Sequence, residues 1–260
     1  MSGDANTLKK EVKMKILVNG ILGFMGKEVK KLCDASYRGS SFASGVDVFA
    51  KGDEPDVYSS LDAVPNINDV DCIVDFSHHE STPALLEYAV KNNVPVVLAT
   101  TGHTEEEKAL VYESSKKIPV FYSANMSLGI ALLVELAKKT AEAMPDAEIE
   151  IIEKHHNRKI DAPSGTALMI ANALREVRPD SYVNNGRSGQ GKRTKNEIGI
   201  HAIRMGNIVG EHEVIVGTEN QTITLSHQAH SRALFAEGAL AAAAFIVGKP
   251  AGLYDMNSLV

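Results

Sequence analysis

The 260-residue chain holds only two cysteines, Cys33 and Cys72, with no C-x-x-C pair and no histidine at zinc-finger spacing. That scarcity indicates neither a disulfide framework nor a structural metal, and the two thiols are expected to be reduced and buried as small hydrophobes. Positive charge is also in short supply, because 27 Lys and Arg face 33 Asp and Glu for a net charge of −6. Such a balance is a poor footing for a phosphate backbone, so nucleic acid is not expected as a partner. The longest apolar run, 239–247, is too short to span a bilayer, and residues 1–13 lack the apolar centre of a signal peptide. No membrane is expected, and the chain reads as cytoplasmic. There is no internal repeat, and no low-complexity tract beyond the alanine run 239–244.

What is present is apolar substance: 44% of the residues are hydrophobic, enough for one large core or two modest ones. Met14 stands directly before 15–20, which reads as the first strand of the fold, so residues 1–13 read as a disordered extension. From there short apolar runs (16–19, 41–47, 72–76, 94–98, 120–123) alternate with helical stretches (27–33, 83–91, 105–117). Runs without a wet face suit a parallel sheet covered by helices on both sides, the rhythm of a dinucleotide-binding domain. Past residue 127 the rhythm changes. A helix at 128–143, an alternating strand at 148–151, a capped helix at 164–177 and a polar loop at 184–195 precede three long strands at 197–205, 208–217 and 221–228. Turn signals at Met205-Gly206-Asn207 and Gly217-Thr218-Glu219-Asn220 separate these strands, which predicts a mixed or antiparallel sheet. A last helix, 232–247, stops at Gly248-Lys249-Pro250. The predicted fold class is α/β: a Rossmann-like dinucleotide-binding domain (14–126 and 235–260, discontinuous) plus an α+β substrate-binding and oligomerisation domain with a mixed sheet (127–234).

Three sets of residues carry chemistry. Gly20-Ile21-Leu22-Gly23-Phe24-Met25-Gly26 follows a predicted strand and opens a predicted helix. Glycines there allow a tight turn and let backbone N–H groups approach a pyrophosphate. Asp47 lies about 20 residues further on, at the end of the second strand, where a carboxylate holds a ribose diol. Two further strand ends, Ala99-Thr100-Thr101 and Ser123-Ala124-Asn125-Met126, fall on the carboxyl edge of the same sheet and are small enough to admit a nicotinamide ring, although ordinary turn chemistry explains each equally well.

The third set is His155-His156-Asn157-Arg158-Lys159, four potential cations in five positions ahead of Asp161-Ala162-Pro163-Ser164-Gly165-Thr166. This crowding suggests an anionic substrate. Ser164 is a good N-cap, and the N–H groups of Gly165 and Thr166 fall at the positive end of a helix, suited to a carboxylate. The plainer alternative has Ser164 only capping its helix and one histidine buried as a satisfied core residue. Tyr112 and Lys116 have the Y-x-x-x-K spacing of short-chain dehydrogenases, but their surroundings read as a solvated helix face. His212-Glu213 lacks the second histidine of a zinc-protease helix, so no catalytic metal is expected. Competing functions are another nicotinamide oxidoreductase, of short-chain or amino-acid dehydrogenase type, and a non-catalytic dinucleotide sensor. The sensor would be expected to carry a basic nucleic-acid module, which is not visible.

The segment from Glu153 to Ala167 is similar, nearly throughout, to the signature of the 4-hydroxy-tetrahydrodipicolinate (dihydrodipicolinate) reductase family of lysine and diaminopimelate synthesis. Asp75-Phe76-Ser77, Ala99-Thr100-Thr101-Gly102, Glu197-Ile198-Gly199-Ile200-His201-Ala202, Gly210-Glu211-His212 and Gly252-Leu253-Tyr254-Asp255-Met256 support the resemblance, which covers about residues 14–260. It implies that His155 is a proton donor/acceptor and Lys159 a proton donor, with His156, Gly165 and Thr166 binding a cyclic dicarboxylate and Ser164 grouped with them as the cap. Gly20, Ile21, Leu22, Gly23, Phe24, Met25, Asp47, Ala99, Thr100, Thr101, Ser123, Ala124, Asn125 and Met126 would meet the cofactor. A homotetramer built through the second domain's sheet is also implied. Phe24 stands where the family commonly has Arg or Lys, and Val48 where some members have Arg. Both departures imply NADH as the preferred cofactor, with NADPH second.

Overall fold

The computed structural model describes residues 13–260. Of the predicted extension 1–13, only Lys13 falls among them, its Nζ 2.7 Å from Ser36 Oγ; the rest lies outside the described residues. In chain order the elements are β1 (Met14–Asn19), α1 (Phe24–Asp34), β2 (Ser40–Val46), β3 (Val57–Tyr58), β4 (Cys72–Asp75), α2 (Thr82–Asn92), β5 (Val96–Leu98), α3 (Glu105–Ser115) and β6 (Pro119–Tyr122). There follow α4 (Leu128–Ala143), β7 (Glu148–His155), α5 (Gly165–Val177), β8 (Tyr182–Asn185), β9 (Glu197–Arg204), β10 (Gly210–Gly217), β11 (Thr222–Ala229), α6 (Ala233–Ile246) and β12 (Gly252–Tyr254). The chain divides into two units: one runs to Met126 and resumes at Phe235–Leu259, and the other is Ser127–Leu234 with Val260. Among the described residues no helix is long and apolar enough to cross a membrane.

In the first unit seven strands pair in the order β12-β6-β5-β4-β1-β2-β3, every pair parallel. The absence of a wet face explains the geometry, since Ile16–Val18, Cys72–Val74 and Val96–Leu98 are fully buried and helices must cover both sides. Strand order reverses at β1, whose neighbours are β2 and β4, and ligands of open α/β sheets sit outside the strand ends at such a switch. The edge strands β3 and β12, two and three residues long, carry too little pattern to be read from sequence.

The second unit's sheet runs β11-β10-β7-β9-β8; β7 pairs antiparallel with β10 but parallel with β9. The sheet is mixed. The turn signal at 205–207 nevertheless does not join neighbours, because β7 lies between β9 and β10. The connection passes the end of β7 and receives the turn that follows it: His156 N donates to Ile208 O (2.8 Å), and Arg158 Nη2 to Asn207 Oδ1 (2.6 Å). On the inner face Ile149, Ile151, Ile198, Ile200, Val214 and Val216 pack with Ile130, Leu133 and Ala137 of α4 and Ile170 and Leu174 of α5.

Candidate active site

In the first unit the glycine loop leaves β1 through Gly20, whose φ of +81° is the left-handed region that side chains avoid. Gly20 N–H donates to Val46 O (2.8 Å), and Gly23 then caps α1 in an extended conformation. A Cβ on Gly26 would lie 2.2 Å from Gly20 O, so the helix can approach the turn this closely only without a side chain. Asp47, just past β2, accepts from Leu22 N–H at Oδ2 and from Phe49 N–H at Oδ1, both at 3.0 Å. That places a carboxylate against the loop, as a ribose partner requires. Phe24 and Val48 are 60% and 78% exposed and bring no cation to it. Ile21 turns inward and is buried, leaving only its backbone for a ligand.

At the carboxyl ends of the strands Met25, Ala99, Thr100, Thr101, Ala124 and Met126 line one cavity of about 320 Å³ together with Phe76, Ser77 and Phe235. The last three were not assigned from sequence, although Phe76 and Ser77 sit in a motif that had been noted. Ser123 and Asn125 instead bond to each other across the turn. Beneath the cavity the fully buried Asp75 accepts from Asn19 Nδ2 (2.8 Å), Ser77 Oγ (2.5 Å) and Thr100 Oγ1 (2.7 Å). Burial pushes this carboxyl up, and the Ser77, Thr100 and Asn19 donors work against that shift. Leu22 borders a neighbouring hollow of about 190 Å³ with Phe49 and Lys51. A glycine turn, a carboxylate beside it and a small-residue cavity at a topological switch fit a dinucleotide.

In the second unit β7 alternates, burying Ile149, Ile151, Glu153 and His155 and turning the residues between them outward. His155 is therefore a buried strand end, 9% exposed, and not part of a cationic loop as its neighbours in sequence suggest. Its Nδ1 lies 2.6 Å from Glu153 Oε2. Glu153 is fully buried and also accepts from Arg204 Nη1 (2.7 Å) and Nη2 (2.6 Å) and from Ser164 N–H (2.9 Å). Burial alone would raise its carboxyl, but the Arg204 guanidinium, the imidazole and the amide together hold it below the ordinary range.

Ser164 Oγ accepts from Ala167 N–H (3.2 Å), capping α5, and lies 3.2 Å from His212 Nε2. Its hydroxyl is committed within the protein. Burial, and then the His155 charge, push His212 down to about 4, so it is neutral at neutral pH. Gly165 is exposed at the open start of α5, and a Cβ there would meet nothing within 4 Å. Lys159 Nζ is 2.7 Å from Asp161 Oδ1, which keeps the aspartate below its usual range. Desolvation and the Arg158 and Arg232 charges push the half-buried His156 imidazole down. Tyr112 on α3 and Lys116 capping its end, in contrast, are exposed, the ammonium 4.6 Å from the ring centroid and 2.6 Å from Glu113 Oε1.

Residues 14–126 match the description dihydrodipicolinate reductase, N-terminus, and residues 129–260 match dihydrodipicolinate reductase, C-terminus. The chain belongs to the dihydrodipicolinate reductase family. A 4-hydroxy-tetrahydrodipicolinate reductase from Caldanaerobacter subterraneus subsp. tengcongensis is 48% identical over 249 residues, 95% of this chain and 98% of that one. Its counterpart in Clostridium novyi is 44% identical over the same shares. A solved dihydrodipicolinate reductase from Paenisporosarcina sp. TG-14, with dipicolinate bound, aligns with a TM-score of 0.79 over 95% of this chain and all of that one; at 24% identity this likeness concerns the fold. Family membership makes the chain a nicotinamide-dependent oxidoreductase of lysine and diaminopimelate synthesis. Around His155 stand the buried Glu153 and His212 and the partly buried Arg204, three polar groups to which the sequence motif gives no role. Continuing the alternation of β7 two residues past Ile151 would have placed Glu153 on the core face.

Proposed function

We propose that the chain reduces 4-hydroxy-tetrahydrodipicolinate to tetrahydrodipicolinate, the first unit holding the nicotinamide cofactor and the second holding the substrate and supplying protons. The carrying observation is the second unit's pairing of a buried, carboxylate-held imidazole with an ammonium and an open helix start. Replacing the 4-hydroxyl by hydrogen takes up one hydride and one proton and releases water. A nicotinamide cofactor, when bound, would supply the hydride. Lys159 and His155 are the acids that quench the electron density built up on the ring, His155 through Nε2 because Nδ1 faces Glu153. The ring carboxylates meet the N–H groups of Gly165 and Thr166 and the His156 side, and Ser164 keeps that helix start in place. Gly20–Met25 would cradle the pyrophosphate, and Ala99–Thr101 with Ala124 and Met126 would frame the nicotinamide, on a turn held by Ser123 and Asn125. The purified protein should oxidise NADH only when the cyclic dicarboxylate is supplied, followed by absorbance. A correctly folded protein without turnover would sink the assignment.

Asp47 favours NADH, because the 2′-phosphate of NADPH would bring a dianion against the carboxylate that the free hydroxyls can donate to. In Val48→Arg the added guanidinium should improve kcat/KM for NADPH by about 1–3 kcal/mol. A tenfold wild-type preference for NADPH would show that the ribose is misplaced or that a lysine outside the motif, Lys27 or Lys51, controls the choice.

The working assembly is a homotetramer through the second unit's sheet, in the cytoplasm, where the free buried Cys33 and Cys72 stay reduced. The sheet face away from the helices carries Ile152, Ile203 and Ile215, none of them buried, among charged side chains such as Lys154 and Glu213. Light scattering at micromolar concentration should give four times the chain mass; a monomer mass rejects this assembly.

A further inference from the structure

Taking His155 as a proton-carrying group, as read above, we propose that Glu153, clamped by Arg204, is the residue that positions it. The carboxylate fixes the imidazole with Nδ1 protonated and Nε2 facing the site, and it ties that setting to the start of α5.

A carboxylate on the core face of β7, in line with Ile149 and Ile151, is where the strand pattern demands an apolar side chain. It persists there fully satisfied. Oε1 takes Arg204 Nη2 and Ser164 N–H; Oε2 takes Arg204 Nη1 and His155 Nδ1. An ionised carboxylate only accepts, so Nδ1 must carry a proton in both charge states of the ring. The exchangeable site is thereby Nε2, which has no protein partner among the described residues. Gly210, the first residue of β10, faces His155 and keeps that nitrogen accessible, since a Cβ there would lie 3.1 Å from Nε2. The His212 ring stands edge-on to His155 at 5.3 Å between centroids and limits its rotation. The charged and titratable groups around the imidazole are thus Glu153 on its own strand, Arg204 on β9, His212 on β10, and His156, Lys159 and Asp161 in the following turn. Glu153 is the one within hydrogen-bond reach of the ring. Through Ser164 N–H the same carboxylate holds the first residue of the helix start that receives a substrate carboxylate, so proton donor and anion site share one support.

The test compares Glu153→Gln, His155→Gln and the double variant by steady-state kinetics across pH, with thermal melts to confirm folding. Glu153→Gln should lower kcat about 10²-fold, more than it changes KM. The alkaline limb of its kcat profile should move to lower pH, because an anion beside an imidazole favours the protonated acid and glutamine does not. In the His155→Gln background the same change should cost less than about twofold, since the two act as one unit. A Glu153→Gln enzyme with wild-type kcat and profile overturns the proposal, as does a full additional loss in the double variant, which a merely structural role produces. If Glu153→Gln does not melt cooperatively, Arg204→Lys, which loses one arm of the fork, is measured in its place; wild-type kcat and profile there overturn the proposal as well. His155→Gln at the wild-type rate would remove the catalytic reading itself, an outcome distinct from an inactive His155→Gln beside an unaffected Glu153→Gln.

Discussion

Replacing Lys159 by alanine is expected to lower turnover about 10²-fold or more, the scale on which a general acid acts, and to leave the melting temperature nearly unchanged. The two effects separate because the partly buried Lys159 pairs with Asp161, whose side chain is 52% exposed and is resolvated at little cost when the ammonium goes. His155→Gln should lose turnover to a similar degree. Its melting temperature should fall as well, because the imidazole is buried against Glu153 and His212. Steady-state rates beside thermal melts check both. Wild-type turnover in both variants would mean that the proton comes from elsewhere.

Arg204→Met carries the largest expected effect on stability. It removes both arms of the fork that holds Glu153 and leaves a fully buried carboxylate with two donors, His155 and Ser164. Breaking a buried pair from one side costs about 3–5 kcal/mol, which in a chain of this size is about 10 °C of melting temperature. The pH dependence has a definite sign. In the wild type Glu153 is held below its unfolded value, so its contribution is present above the ordinary glutamate range and is lost as the pH falls through the folded value. Without the guanidinium, burial dominates and raises the carboxyl, so the variant's deficit is present at neutral pH and relieved on acidification. The gap in melting temperature between the two proteins should therefore narrow from pH 7 toward pH 4.5. A gap that is constant with pH, or under 2 °C throughout, would show that Glu153 is not the charge that matters.

The parts of this molecule legible in its sequence are those written by local chemistry. Apolar runs without alternation meant buried parallel strands, glycines between a strand and a helix meant a cradle for a dinucleotide, and Ser164 before an amphipathic stretch meant a capped helix start. The signature around His155 carried the family because its residues are contiguous. Strand neighbours were harder. The turn signal after β9 was read correctly as a turn, but what it joins depends on β7 sliding between β9 and β10, a choice made by burying Ile149 and Ile151 with a partner on each edge.

By itself, then, the sequence determined the longer secondary elements, the α/β character, the glycine turn and the contiguous motif, because each follows from the conformational preferences of a few successive residues. Only the tertiary structure decided that Glu153 lies on the core face, that Arg204, 51 residues away, neutralises it, and that Gly210 leaves room before Nε2. A buried charge is tolerable only where distant donors converge on it, and that convergence is a property of the packed sheet, not of any stretch of chain.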